Sequence, residues 1–355
     1  LSFPTRRSSD LRTIVDSGNL SARVIVRSDD EIGELGDGFN AMTVSLEQAY
    51  TEIKNYALQA AIARKKEMKI RNIFQKFVPK HVLDEYIASP ESMLVGAERE
   101  LSILFSDIRN FTTLSEQMNS RDIVESLNRY FDHMVDKIMG RSGIVDKYIG
   151  DAIMAFFGAP AEDPDNARHA VESALDMVGE LKEFNAWQTS RGLKPIQIGI
   201  GVNYGPVTIG NIGTERQMEY TVIGDMVTIA SRIEGLTKFY RTPVLISESV
   251  HRFVRDVFPC RYIDRVVMKG KTEALDIYAV QGSLTDKEKT AWDIHHQGVA
   301  KYYSRQFEAA RLLFVEVNKL MPGDHVARNF LQRCHENITI PPGDDWTGVV
   351  SFDRK

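Results

Sequence analysis

From Ile32 the apolar positions fall alternately three and four residues apart: Ile32, Leu35, Phe39, Met42, Leu46, Ala49, Ile53, Tyr56, Ala60, Ala63, Ile70, Phe74 and Phe77, with Glu67 the polar interruption. A 3.5-residue repeat held over about six heptads predicts a coiled coil, about 65 to 70 Å long at 1.5 Å per residue. Between residues 101 and 282 the pattern changes. Short apolar runs such as "LSILFSDI" and "IQIGIGVNYGPVTIG" alternate with stretches of helical period. "SRDIVESLNRYFDHMVDKIMGRSG" reads as a helix capped by Ser120 and stopped by glycine. "IVDKYIGDAIMAFFG" reads as a hairpin turning at Gly150 and Asp151. The order predicts an α+β fold: a ferredoxin-like β-α-β-β-α-β sandwich, with an N-terminal coiled-coil helix and a C-terminal helical hairpin.

The C-terminal helical stretch, residues 286–338, places Gly298, Ala310, Phe314 and Pro322 at spacings that resemble a tetratricopeptide repeat followed by half of another. One and a half repeats cannot stack into a solenoid. That leaves two roles, a helical cap on the preceding domain or a docking surface for a protein partner. His295 and His296 are expected at the surface, with no third ligand spaced to make a metal site.

Composition narrows the function classes. The chain has 355 residues and a net charge of -5, which argues against a general nucleic-acid binder. Cys260 and Cys334 are far apart, in no metal-binding pattern, as expected of a reducing, cytoplasmic compartment. No apolar run approaches the ~18 residues of a spanning helix, and no signal peptide is visible. The chain opens on Leu1, as a fragment would, and "SFPTRRSSDL" reads like a translated sequencing-adapter oligonucleotide. Residues 1–11 are therefore set aside from fold reasoning.

The chemistry begins with two acids. Gly150-Asp151 alone is an ordinary tight turn, but Asp107 ends an apolar strand in "LFSDIRNFT", and adjacent strands would bring both carboxylates to one sheet edge. Two such groups repel unless a cation lies between them, and hard divalent ions such as Mg²⁺ or Mn²⁺ prefer oxygen ligands.

"FSDIRNFT", "DKYIGDAIMAFFG" and "YTVIGDMVTIASRIEG", in this order, resemble the catalytic domain of class III nucleotidyl cyclases over residues 96–283. The resemblance implies a homodimer that converts ATP to 3′,5′-cyclic AMP and pyrophosphate at sites shared between subunits, with two Mg²⁺ or Mn²⁺ ions per site. Asp107, Asp151 and the carbonyl of Ile108 would bind the metals, while Asn110, Phe111 and Thr112 would hold the triphosphate. Lys147 and Thr221 would read adenine, and Arg232 would stabilise the transition state. Lys269, with Lys271 close by, would contact phosphate. Thr228 stands where the family carries Asn, which keeps open a weak or inactive nucleotide-binding signalling module. A guanylate cyclase is the other alternative, opposed by Lys147, where an acid would be expected. No GGDEF-like string supports a diguanylate cyclase.

Upstream, "SGNLSARVIVRSDDEIGELGDGFNAM" resembles the connector and second helix of a HAMP signal-relay module, assigned to residues 12–50, with a coiled-coil and transducer segment at 51–95. The first HAMP helix is absent from the match. The resemblance implies a sensor and a plasma (inner) membrane anchor in a missing upstream segment, with the residues present here on the cytoplasmic side.

Overall fold

Heptad spacing becomes helix in the computed structural model, which describes residues 19–21, 23–25, 30–74, 96–214, 217–268 and 270–352. The chain divides into two compact units, Leu1–Leu83 and Asp84–Lys355. In the first, α1 runs from Glu31 to Phe74, 44 residues. Asp30 begins it, its side chain accepting from the amides of Ile32 and Gly33 at 3.1 and 3.3 Å. Asn40 then straps the connector to the helix: its side-chain oxygen accepts from the Val24 amide and its nitrogen donates to the Val24 carbonyl, both at 2.9 Å. The heptad positions Leu35, Met42, Leu46, Ile53 and Tyr56 are exposed in the single chain. Phe77, the transducer segment at 75–95 and residues 1–18 lie outside the described residues.

The second unit is built on β1 (Ala97–Ile108), followed by the short α2 (Phe111–Ser115) and α3 (Ser120–Gly140). Next come β2 (Ile144–Ile149), β3 (Ala152–Phe157), α4 (Asn166–Ser190) and β4 (Ile198–Thr214). The sheet order β2-β3-β1-β4, with all three pairings antiparallel, is the expected ferredoxin-like arrangement. Helices α3 and α4 bury Tyr130, Met134 and Ile138 with Val171, Ala174 and Met177 against one face, at the helical spacing the sequence predicts. Asn119, not Ser120, caps α3, accepting from the Asp122 amide at 2.9 Å. Both residue types suit that position, so the sequence left the choice one residue adrift.

The sheet continues through β5 (Gln217–Ile223), which pairs with the far end of β4, and then α5 (Asp225–Tyr240) and β6 (Val244–Ser247). Helix α6 (Glu248–Val254) leads to the hairpin β7 (Cys260–Met268) and β8 (Ala274–Val280). Helix α5 lies almost on the backbone of β4. A Cβ at Gly201 would stand 2.2 Å from the Glu234 nitrogen and 2.6 Å from the Ala230 carbonyl, which is why glycine is required there.

Three helices follow rather than a two-helix hairpin: α7 (Asp286–Tyr303), α8 (Phe307–Leu320) and α9 (His325–Thr339). They cover the sheet face that carries α5, burying Ala291, Phe314 and Phe330 with Ile233, Tyr240 and Val266 in one apolar cluster. The helical-cap role is therefore the one the packing displays. The chain then returns as β9 (Val350–Phe352), pairing in parallel with β7.

His295 corrects the surface expectation. It is fully buried, facing the Arg261 guanidinium at 2.8 Å and the Tyr262 carbonyl at 2.8 Å. The helix face that packs on β7 takes it inside, while its neighbour His296 stays exposed. Among the described residues, no helix is long and apolar enough to cross a membrane.

Candidate active site

Strand pairing decides where the two acids meet. Asp107 lies one residue from the end of β1, and Asp151 follows Gly150 in the turn that opens β3, which is hydrogen-bonded to β1 with Ser106 opposite Ile153. Gly150 adopts φ +67°, a left-handed turn conformation that favours glycine. The two carboxylates are within hydrogen-bonding reach of each other, and Asp151 also accepts from the Ile108 amide at 3.3 Å. Burial and the adjacent Asp151 push Asp107 up to about 6. Burial raises Asp151 as well.

A third carboxylate stands behind this pair. Glu234, on α5, is pushed up to about 8 by burial and by the charges of Asp107 and Asp151. Arg109, next to Ile108 in sequence, offsets part of that and ties the loop after β1 to α5 and the turn that follows it. Its guanidinium donates to the carbonyls of Thr237 and Thr242 at 3.1 and 2.8 Å. Among the described residues, no group of three or more His, Cys, Asp and Glu side chains gathers as a closed metal site. An open pair of carboxylates suits Mg²⁺ or Mn²⁺, which take the rest of their ligands from main chain, water and substrate phosphate.

Asn110, exposed and left-handed at φ +58°, turns the chain from β1 into α2, placing Phe111 and Thr112 at that helix start. Lys147 is on β2, where it meets β5. Its ammonium pairs with Glu219 at 2.6 Å and lies 3.5 Å from Asp146. The Thr221 hydroxyl, also on β5, donates to Asp146 at 2.9 Å. The predicted base-reading residues thus share one cluster within a single chain.

Thr228 and Arg232 project from α5, Thr228 exposed and Arg232 half-buried. Arg232 Nη1 is buried without a partner among the described residues. Lys269 lies outside the described residues; Lys271 pairs with Asp225 at the start of α5.

Sequence reasoning missed three residues here. Asp146 had a signal, an acid next to Lys147 in an otherwise apolar strand. Glu234 had a weaker one, falling at helical spacing between Ala230 and Thr237 on the buried side of α5. Arg109 had none, because its carbonyl partners are more than 100 residues away in the chain.

Residues 95–282 match the family described as the adenylate and guanylate cyclase catalytic domain, and residues 12–48 match the HAMP domain. An adenylate cyclase of Anabaena cylindrica is 38% identical over 294 residues, 79% of this chain and 54% of that protein. The terminal-differentiation-specific adenylate cyclase of Dictyostelium discoideum is 34% identical over 290 residues, 78% of this chain and 13% of its own length. The chain thus spans about half the length of these relatives or less. The crystal structure of the adenylyl cyclase CyaB from P. aeruginosa aligns with a TM-score of 0.51 at 33% identity, covering 54% of this chain and 99% of that one.

Proposed function

As the chain belongs to the adenylate and guanylate cyclase catalytic family, we propose that it closes ATP to 3′,5′-cyclic AMP with release of pyrophosphate, at sites completed by two copies of the chain. The meeting of Asp107 and Asp151 carries this reading. Those carboxylates and the Ile108 carbonyl would hold two divalent ions, Mg²⁺ or Mn²⁺. When bound, such ions lower the pKa of the ribose 3′-hydroxyl and neutralise triphosphate charge.

The protein's own groups do the rest. Asn110, Phe111 and Thr112 border the triphosphate, and Lys269 or Lys271 adds a phosphate contact. The 3′-oxygen attacks the α-phosphorus in line and the pyrophosphate oxygen leaves. Negative charge grows on the non-bridging oxygens, where the Arg232 guanidinium, its Nη1 without a partner among the described residues, is worth most. Thr228 presents a single hydroxyl to the ribose. Lys147 donates to an adenine ring nitrogen, and Thr221 accepts from the 6-amino group.

The geometry of α5 supports a shared site. Glu234 faces the Asp107–Asp151 edge of its own chain. Arg232 is two residues away, about 200° around the helix at 3.6 residues per turn. It therefore lies on the opposite side of the helix from the face that meets its own carboxylates, so the pair it serves would have to come from a second copy. The exposed heptad seam of α1 supports the same pairing, because a parallel coiled coil raises the effective concentration of the two catalytic units. A HAMP segment upstream supports control through that helix.

The test is turnover with Mn²⁺, comparing ATP with GTP, in the wild type and in Asp107→Ala. Cyclic AMP formation abolished by the substitution supports the proposal. Nucleotide binding without turnover in the wild type would instead identify a signalling module, and a preference for GTP would overturn the base assignment.

A further inference from the structure

Asp146 is the extra residue of a β-bulge: Val145 pairs with Ala155 and Lys147 with Met154, so β2 accommodates one more residue than β3. In a regular strand, neighbouring side chains point to opposite faces. The bulge cancels that alternation and brings the Asp146 carboxylate and the Lys147 ammonium to 3.5 Å. The Asp146 side chain has no exposed surface, 0%, and its Oδ1 has no partner among the described residues. Its Oδ2 accepts the Thr221 hydroxyl at 2.9 Å.

We infer that Asp146 is a specificity-determining positioning residue that fixes the direction of the Thr221 hydroxyl, and through it the choice of adenine over guanine. An ionised carboxylate only accepts hydrogen bonds. This one is short of donors, so the single hydroxyl proton of Thr221 is committed to it. The lone pairs of Thr221 Oγ1 then face the nucleotide as an acceptor. Adenine offers an amino donor at its 6-position, whereas guanine offers a carbonyl acceptor there. Two acceptors would oppose each other in the guanine complex, leaving both unmatched. Burial raises the pKa of this carboxyl, and the Thr221 hydroxyl and the Lys147 ammonium, both at its Oδ2, work against that rise and favour the anion. A serine or threonine free to rotate would suit either base; this one is not free.

The inference rests on Lys147 and Thr221 facing the base, and the experiment separates the two ideas. The kcat/KM values for ATP and GTP with Mn²⁺ are compared in the full chain and its variants. The wild type favours ATP. Asp146→Asn, whose amide can donate as well as accept, releases the hydroxyl and lowers the ATP/GTP ratio about tenfold or more. Thr221→Val lowers the ratio similarly, and adding Asp146→Asn to Thr221→Val lowers it no further. Thr221→Ser, with the hydroxyl kept, retains the preference.

An unchanged ratio in Asp146→Asn, with both nucleotides slowed equally, would make the residue merely structural. Additive effects in the double variant would also refute the coupling. If Asp146→Asn does not fold, a Thr221→Val variant that keeps its ATP preference overturns the inference by itself. A wild type indifferent to the base sinks the base-reading assignment and this inference with it.

Discussion

Replacing Arg333 by alanine removes one half of a buried ion pair. The guanidinium donates to both oxygens of Asp264 at 3.0 and 2.6 Å, and the carboxylate's side chain is only 1% exposed. Asp264 keeps two other donors, the Tyr240 hydroxyl at 2.7 Å and the Arg265 amide at 3.0 Å. Breaking a buried pair from one side costs about 3 to 5 kcal/mol, and the surviving donors place this case near 3. At roughly 2 to 4 °C per kcal/mol for a domain of this size, Tm falls by about 6 to 12 °C. Asp264, on β7, links Arg333 of α9 to Tyr240, the last residue of α5, so kcat also falls well below the melting range. Thermal unfolding and steady-state turnover of Arg333→Ala, Asp264→Asn and the double variant give the coupling directly. A Tm loss under about 2 °C, or full additivity in the double variant, would refute the reasoning.

Three further outcomes follow. Inserting one or two residues near Ala60 shifts the heptad phase and changes cyclase activity strongly, whereas a seven-residue insertion restores it; equal effects would dissociate the helix from regulation. Gly201→Val forces a side chain into the backbone of α5, with contacts of 2.2 and 2.6 Å to relieve, and the displaced helix lowers both stability and kcat. Melting temperature and turnover of this variant check that, and wild-type values in both would contradict the close approach. His295 is held well below its ordinary 6.5 by burial and the Arg261 charge, so it stays neutral in the folded state while the unfolded chain takes up a proton. Its contribution is therefore complete above 6.5 and is lost as pH falls below that value. Chemical denaturation at several pH values shows a slope steeper in the wild type than in His295→Gln by up to ~1.4 kcal/mol per pH unit.

Local pattern carried most of this fold into view. Heptads marked α1, alternation and apolar runs marked the strands, and Gly150-Asp151 marked the hairpin, because each depends on neighbours within a few residues. The first ferredoxin-like strand order was legible for the same reason. What escaped depends on distant partners. Strand β9 is three residues long and exists only because β7 offers an edge. His295 reads as surface beside His296 until α7 is laid on β7. At the site, Asp107 and Asp151 stood out as acids in apolar segments, whereas Asp146 passed as a companion of Lys147. Its importance comes from a bulge that periodicity assumes away and from a hydroxyl 75 positions downstream.

The helices after the cyclase match are not an appendage that could be traded freely between proteins. Ile233 and Tyr240 of the arginine-bearing helix share their apolar cluster with Phe314 and Phe330. A gene fusion cut at the end of the family match would strip that helix of its backing and leave a greasy wall facing solvent. Portability of this output unit therefore extends through the returning strand at Val350–Phe352, and swaps between signalling proteins should exchange the whole of it.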